Sequence, residues 1–298
     1  MSTIRRITFS GRLGERNLSI RQREIVSKGL FYMFLDISIT LVVAISLFYT
    51  FVKSAVAPYE HDFPCDDEAI RKPLLPNTIG LKHLLFVTLG SPFPLILLVE
   101  GLVFFFSEGT NRLAKFFTTS TLVYLKFLLL YALCTFSMEF FKCYYGRMRP
   151  HFVAACQPDW TKMDCSTDPN ALIPASAVVC MNPDLHRVRV ARTSFPSGHT
   201  AAAVFVWLFY CLYLFRLSSA TRLPQIRLVR NLAVPFITIW SSVCAISRIT
   251  DCWHHPTDVL GGAILAIVCF VPFYWYSWTT PKKVYNPRRI EKERPKFE

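Results

Sequence analysis

Apolar residues along this chain arrive in long blocks separated by short polar, charged segments. The blocks cover 30–52, 83–106, 120–142, 200–216, 229–247 and 257–278. Each holds enough residues, at about 1.5 Å of rise apiece, to cross about 30 Å of hydrocarbon as a helix. Helix is the expected form because lipid offers no partner to an unpaired backbone amide. The pattern predicts an all-α, polytopic membrane protein with six transmembrane helices. The fourth and fifth blocks are the least regular, being short or polar at their edges. The organisation that follows is a tail over 1–29, a membrane domain over 30–278 and a second tail over 279–298.

Charge sets the expected orientation. An even number of spans leaves both termini on one side. Residues 1–28 carry Arg5, Arg6, Arg12, Arg16, Arg21, Arg23 and Lys28 against Glu15 and Glu24. The last twenty residues carry Lys282, Lys283, Arg288, Arg289, Lys292, Arg294 and Lys296. Basic flanks mark the cytoplasmic side, so both termini are expected there. The 107–119 loop (Arg112, Lys115) and the 217–228 loop (Arg222, Arg227) fall on the same side. The 53–82 loop, with Asp62, Asp66, Asp67 and Glu68, falls outside, as do 143–199 and 248–256. The first 28 residues are too polar for a cleavable signal peptide, and the first block is expected to act as an uncleaved anchor.

With 33 basic and 20 acidic residues, the formal net charge is +13. The placement of that charge beside apolar blocks, without any recognition motif, excludes nucleic acid and favours docking of the tails on anionic lipid. The hydrophobic share of 52% against 18% charged excludes a disordered chain or a small disulfide-stapled domain. Cys134, Cys211, Cys244 and Cys269 lie in spans and read as packing residues. Cys65, Cys156, Cys165 and Cys180 lie in outer loops, where a disulfide is permitted, and Cys156 with Cys165 is the simplest local pairing. Asp36, Glu100 and Lys126 lie inside spans, roughly 10 Å from their inner ends at about 1.5 Å per residue. They either pair with one another or snorkel to the interface.

The chemistry concentrates where outer loops meet spans. The third span ends in Lys142-Cys-Tyr-Tyr-Gly-Arg-Met-Arg149-Pro150-His151-Phe152. The fourth begins with Ser194-Phe195-Pro196-Ser197-Gly198-His199. The fifth runs into the sixth through Ser247-Arg248, Asp251, His254-His255-Pro256 and Asp258. The topology brings Lys142, Arg149, Arg248, His199, His254 and Asp258 to one membrane boundary. Arg presents a planar fork to phosphate oxygens and Lys a point charge. Ser197-Gly198 before a helix leaves amides aimed at an anion. Two histidines can divide a displacement, one attacking phosphorus and the other protonating the leaving oxygen. Asp258, four residues after His254, can accept the Nδ1 proton and leave Nε2 free to attack. Glu139, three residues before Lys142, can hold that lysine. His254-His255 near Cys252 lacks metal-ligand spacing, so no metal is expected; His255 reads as a supporting residue.

Lys142-x6-Arg149-Pro150, Pro196-Ser197-Gly198-His199 and Ser247-Arg248-x5-His254-x3-Asp258 resemble the three signature motifs of the type 2 phosphatidic acid phosphatase superfamily. Arg149-Pro150-His151-Phe152, Ser194-Phe195, His254-His255, Asp258-Val259 and Phe63-Pro64-Cys65-Asp66-Asp67-Glu68 are similar to the animal lipid phosphate phosphatases. The likeness covers about residues 30–278. The one Asn-x-Ser/Thr, Asn17-Leu18-Ser19, is on the expected cytoplasmic side, so the resemblance does not extend to a glycosylated outer loop.

The resemblance implies metal-independent hydrolysis of lipid phosphomonoesters, with no cofactor. His254 would be the nucleophile, Asp258 would orient it, and His199 would protonate the leaving alkoxide. Lys142, Arg149, Arg248, Ser197 and Gly198 would hold the phosphoryl oxygens. Phosphatidate, lysophosphatidate, sphingosine 1-phosphate and ceramide 1-phosphate are the implied substrates, in the plasma membrane or an endomembrane. The alternatives are a non-catalytic receptor or transporter of the same fold, or a lipid phosphotransferase. Homo-oligomerisation is left open.

Overall fold

The computed structural model describes residues 56–106, 112–163 and 172–279 (the last eight as backbone) and scattered positions between 34 and 49. The expected tails, apart from Thr279, lie outside the described residues. So does most of the first apolar block, whose described positions are helical.

Among the described residues, four helices are long and apolar enough to cross a membrane: α1 (Leu81–Phe106), α2 (Arg112–Tyr145), α5 (Gly198–Thr221) and α6 (Pro224–Thr250). Between α2 and α5 lie the short helices α3 (Phe152–Cys156) and α4 (Leu185–Ala191). The last helix, α7, runs Pro256–Thr279. The protein is a helical, polytopic membrane protein. Each long helix outruns its expected block. The added turns at the start of α5 and the end of α6 bring Gly198, His199 and Arg248 into helix.

Local sequence explains where the helices begin and end. Ser197 caps α5, its hydroxyl accepting from the Thr200 amide. Arg222 closes the same helix in the left-handed conformation, its amide bonded to the Ser218 carbonyl. Pro224 opens α6 at a position where its missing N–H costs nothing. After α2 the chain must turn sharply, and Gly146 does so at φ +53°. A Cβ there would collide with the Tyr59 carbonyl oxygen, so only glycine fits.

The bundle is built around α5, which packs chiefly on α6 and α7. Its Ala201, Ala203, Phe205, Val206, Phe209 and Leu214 are all buried. Phe127 of α2 meets Phe209 at 4.7 Å between ring centroids, and Phe270 of α7 meets Phe205 at 5.4 Å. α6 has two distinct faces. Leu228, Leu232, Phe236, Ile239, Val243 and Ile246 are exposed at steps of three or four, as a lipid-facing stripe requires. Ile237, Ser241, Cys244 and Arg248 form the buried seam opposite. The seam that packs the helix therefore also delivers Arg248. Glu100 is buried and accepts from the Tyr213 hydroxyl at 3.0 Å; Asp36 lies outside the described residues.

The loops at the site end form a second, smaller core. Phe63, Cys65, Ile70, Met148, Phe152, Cys156 and Ile173 pack together. β1 (Phe63–Pro64) pairs antiparallel with β2 (Leu172–Ile173), with Phe63 opposite Ile173. The expected Cys156–Cys165 pairing is corrected: Cys156 is bonded to Cys180. Backbone pairing sets that choice. The Met181 amide donates to Gln157 O at 3.1 Å and the Asn182 amide to Cys156 O at 3.2 Å, which brings the two thiols together. Cys65 is also disulfide-bonded, and Cys165 lies outside the described residues.

Candidate active site

The long helices alternate in direction, so α1, α5 and α7 begin at the end of the bundle where α2 and α6 finish. Lys142 lies on the last turn of α2, His199 on the first of α5, Arg248 on the last of α6 and Asp258 on the first of α7. Arg149 and His254 sit in the connecting segments. All eight expected site residues meet at this end.

Each cation is held from behind. Lys142 Nζ donates to Glu139 Oε1 at 2.7 Å, one turn earlier. A Cβ added to Gly198 would lie 3.4 Å from that ammonium, so the start of α5 and the end of α2 nearly touch. Arg248 is buried; its Nη1 donates to Asn77 Oδ1 at 2.7 Å and its Nη2 to Asp251 Oδ2 at 3.2 Å. Arg149 is 6% exposed and stacks on the Trp253 ring at 5.2 Å. Its Nη2 donates to Thr193 O at 3.3 Å. Among the described residues it has no carboxylate in ion-pair contact, and its Nε has no partner. Burial pushes the Arg149 guanidinium down to about 10, while Glu139 and Asp258 pull it up; it stays charged at neutral pH.

The histidines differ in what they touch. His254 is 3% exposed. Its Nδ1 lies 3.7 Å from Asp258 Oδ2 and 3.5 Å from Ser194 Oγ, and that hydroxyl donates to Asp258 Oδ2 at 2.6 Å. The expected aspartate contact is present at ion-pair distance, and the Ser194 hydroxyl lies between the same two groups. Burial and then the charge of Arg149 hold the His254 imidazole below its ordinary range, with Asp258 opposing, so it is neutral at neutral pH. His199 Nε2 donates to the Ile79 carbonyl at 3.2 Å. His199 lies within the electrostatic reach of Arg248, Lys142 and Arg149. His255 Nε2 donates to Met148 O at 3.1 Å, tying the third motif to the first. His151 Nδ1 donates to Cys252 O at 2.8 Å.

Sequence reasoning missed several participants. Arg147 Nη1 lies 2.6 Å from Asp258 Oδ1. The 72–79 segment crosses the whole site. Lys72 N donates to Pro150 O, Leu75 O accepts from Trp253 Nε1, and Thr78 bonds Asp251 through both its amide and hydroxyl at 2.8 Å. The arginine between Lys142 and Arg149 was a visible signal for Arg147; nothing local marks Asn77.

Fold and site together define a helical membrane protein that gathers buried arginines, a lysine and two imidazoles at one end of its bundle. The chain belongs to the PAP2 superfamily, whose family model matches residues 123–282, more than half its length. It is 29% identical over 258 residues to phospholipid phosphatase 2 of Rattus norvegicus, covering 83% of this chain and 88% of that protein. To phospholipid phosphatase 1 of the same species it is 29% identical over 242 residues, covering 80% and 81%. A putative phosphatidate phosphatase of Drosophila melanogaster is 26% identical over 231 residues, covering 71% of this chain and 59% of that protein. No solved structure matches the chain.

Proposed function

We propose that this protein is a lipid phosphate phosphatase that hydrolyses lipid phosphomonoesters through a phosphohistidine. The observation that carries the reading is Arg149: a buried guanidinium without a carboxylate partner among the described residues, its Nε unpaired, beside a neutral imidazole. A buried cation without a counter-ion costs several kcal/mol, and a phosphoryl group would supply both the charge and the acceptors.

In this reading Lys142, Arg149 and Arg248 grip the phosphoryl oxygens, with Ser197 and the Gly198 amide. His254 Nε2 attacks phosphorus, a P–N bond forms, and the P–O bond to the lipid breaks. His199, as an imidazolium beside the bound phosphate dianion, gives its Nδ1 proton to the departing alkoxide. With Nε2 on the Ile79 carbonyl, Nδ1 is the ring atom left to exchange it. Water, losing a proton to His199, then attacks phosphorus, which releases inorganic phosphate and restores His254. The cations supply charge stabilisation that a divalent ion gives elsewhere, so turnover in chelator is expected.

Location supports a lipid substrate. The site lies at the end of membrane helices, and the exposed rings of Tyr144 and Tyr145 on the last turn of α2 suit a headgroup interface. A headgroup can reach the site while its acyl chains stay in the bilayer. Phosphatidate, lysophosphatidate, sphingosine 1-phosphate and ceramide 1-phosphate are the proposed substrates. The basic tails favour a cytoplasmic location for both termini, which puts the site on the exoplasmic or lumenal face, with the plasma membrane as the expected compartment.

The test is phosphate release from a panel of these lipids in mixed micelles with chelator. Wild type should turn over and His254→Ala should lose several orders of magnitude, about 10³-fold or more. Undiminished activity in the variant would refute the nucleophile, and dependence on added divalent ion would refute metal independence.

A further inference from the structure

Asp258 is held on several sides. It is fully buried, and both carboxylate oxygens are taken. Oδ1 receives Arg147 Nη1 at 2.6 Å. Oδ2 receives the Ser194 hydroxyl at 2.6 Å and the His255 amide at 2.9 Å. His254 Nδ1 lies 3.7 Å from Oδ2, at ion-pair distance, and the contact to Ser194 Oγ is shorter but also long. Ser194 Oγ is the nearer partner of that nitrogen, at 3.5 Å. The hydroxyl spends its own proton on Asp258, so towards His254 it can only accept. A hydrogen-bond order follows: Nδ1–H of His254 to Ser194 Oγ, and Ser194 O–H to Asp258. This order leaves the proton on Nδ1 and the lone pair on Nε2.

Arg147 and Ser194 are themselves linked. The Ser194 amide donates to the Arg147 carbonyl at 2.8 Å, and Arg147 Nη1 also donates to Thr257 Oγ1 at 2.6 Å. Arg147 thus binds the backbone before the second motif, the residue before Asp258 and Asp258 itself. Its side chain is 40% exposed, so its charge spans from solvent to the buried carboxylate. Around that carboxylate the charged and titratable groups are Arg147 and Arg149 from the segment after α2, and His254 and His255 from the turn before α7. The Ser194 segment adds a hydroxyl.

We propose that Arg147 and Ser194 are positioning residues for the nucleophile: Arg147 pins and keeps ionised the Asp258 carboxylate, and Ser194 transmits its hold to His254 Nδ1. The inference rests on the reading of His254 as the nucleophile. Neither residue needs to touch the phosphoryl group. Both act on the first chemical step by fixing which ring nitrogen carries the proton and where the other points.

The experiment measures kcat and KM for phosphatidate in mixed micelles as a function of pH, using the full chain and the variants Ser194→Ala, Ser194→Thr, Arg147→Ala and Arg147→Lys. Ser194→Ala should lower kcat about 100-fold, the scale of a small misplacement of a reacting group, with KM changed less than about twofold. Ser194→Thr, which keeps the hydroxyl, should recover most of that loss. Arg147→Ala should lower kcat similarly and move the acid limb of kcat towards neutral pH, because a buried carboxylate without its cation takes up a proton more readily. Arg147→Lys should restore the acid limb.

A kcat loss with an unmoved acid limb, or a Lys variant no better than Ala, would overturn the role of Arg147. A Ser194→Ala variant with wild-type kcat would overturn the relay. If Arg147→Ala does not fold, Arg147→Lys against wild type and the Ser194 pair decide. His254→Ala runs alongside. If wild type releases no phosphate, or His254→Ala releases it normally, the functional reading fails and takes this inference with it. If both behave as expected while the Arg147 and Ser194 variants match wild type, only this inference fails.

Discussion

Arg248 Nη1 and Asn77 Oδ1 meet at 2.7 Å although 171 residues separate them. The contact joins the last turn of α6 to the segment before α1, and it orients a guanidinium that is 1% exposed. A hydrogen bond to a charged group contributes about 1.5–3 kcal/mol. Asn77→Ala should therefore lower kcat/KM by about tenfold or more for every lipid phosphate alike. Steady-state kinetics on two lipids of different backbone check this; a loss confined to one lipid would instead make Asn77 a specificity contact.

Asp258→Asn and His254→Ala should separate by severity. The histidine variant removes the attacking atom, whereas the aspartate variant leaves it present but poorly oriented. Asp258→Asn should retain at least about tenfold more activity than His254→Ala. The comparison is of kcat at saturating lipid, and equal losses would mean the carboxylate does more than orient.

Acid should destabilise the fold through two buried histidines. Burial pushes His151 down to about 4, and burial with Arg149 lowers His254. Both then lie below the ordinary value of about 6.5. As pH falls through that value the unfolded chain binds their protons before the folded one does. The stability that neutral burial contributes is present above the unfolded value and is lost as pH drops towards the folded ones. Thermal unfolding in detergent should show Tm falling across this window. His151→Asn should flatten part of the slope, and an unchanged slope would exclude His151 as a source.

Reducing Cys156–Cys180 should loosen the outer core. The bond spans 24 residues, and chain entropy assigns such a loop about 3 kcal/mol. Cys156→Ser with Cys180→Ser should lower Tm by several degrees, and phosphate release should decline at temperatures where the parent is unaffected. A Tm equal to that of the parent would show that the backbone pairing alone holds this segment.

Much of the site was legible because its residues stand at the ends of apolar blocks in a fixed order. Lys142, His199, Arg248 and Asp258 each lie within a turn or so of a helix end, and topology alone brings such ends together. The Glu139–Lys142 pair was equally readable, since residues three apart on a helix face one another. Helix ends were less legible. Hydropathy stops at the first polar residue, but backbone hydrogen bonds continue through it, so α2 runs to Tyr145 rather than 142. The segment through Asn77 and Ile79 carried no periodic pattern that could say which helix end it crosses. Ser194 was visible beside the second motif, but its place between Asp258 and His254 depends on how two distant segments dock. The cysteine pairing failed for the same reason: nearness in sequence favoured Cys165, whereas backbone pairing between Gln157 and Met181 selected Cys180.

The amide of Ser197 donates to the carbonyl of Asp258 at 2.9 Å. This junction between the second and third motifs uses main-chain atoms alone. It makes no use of the aspartate side chain, so the carboxylate can be neutralised without removing that junction. Architecture and turnover are therefore separable in this scaffold. A descendant could shed catalysis by a single substitution and persist as a sensor of the phosphates it once cleaved.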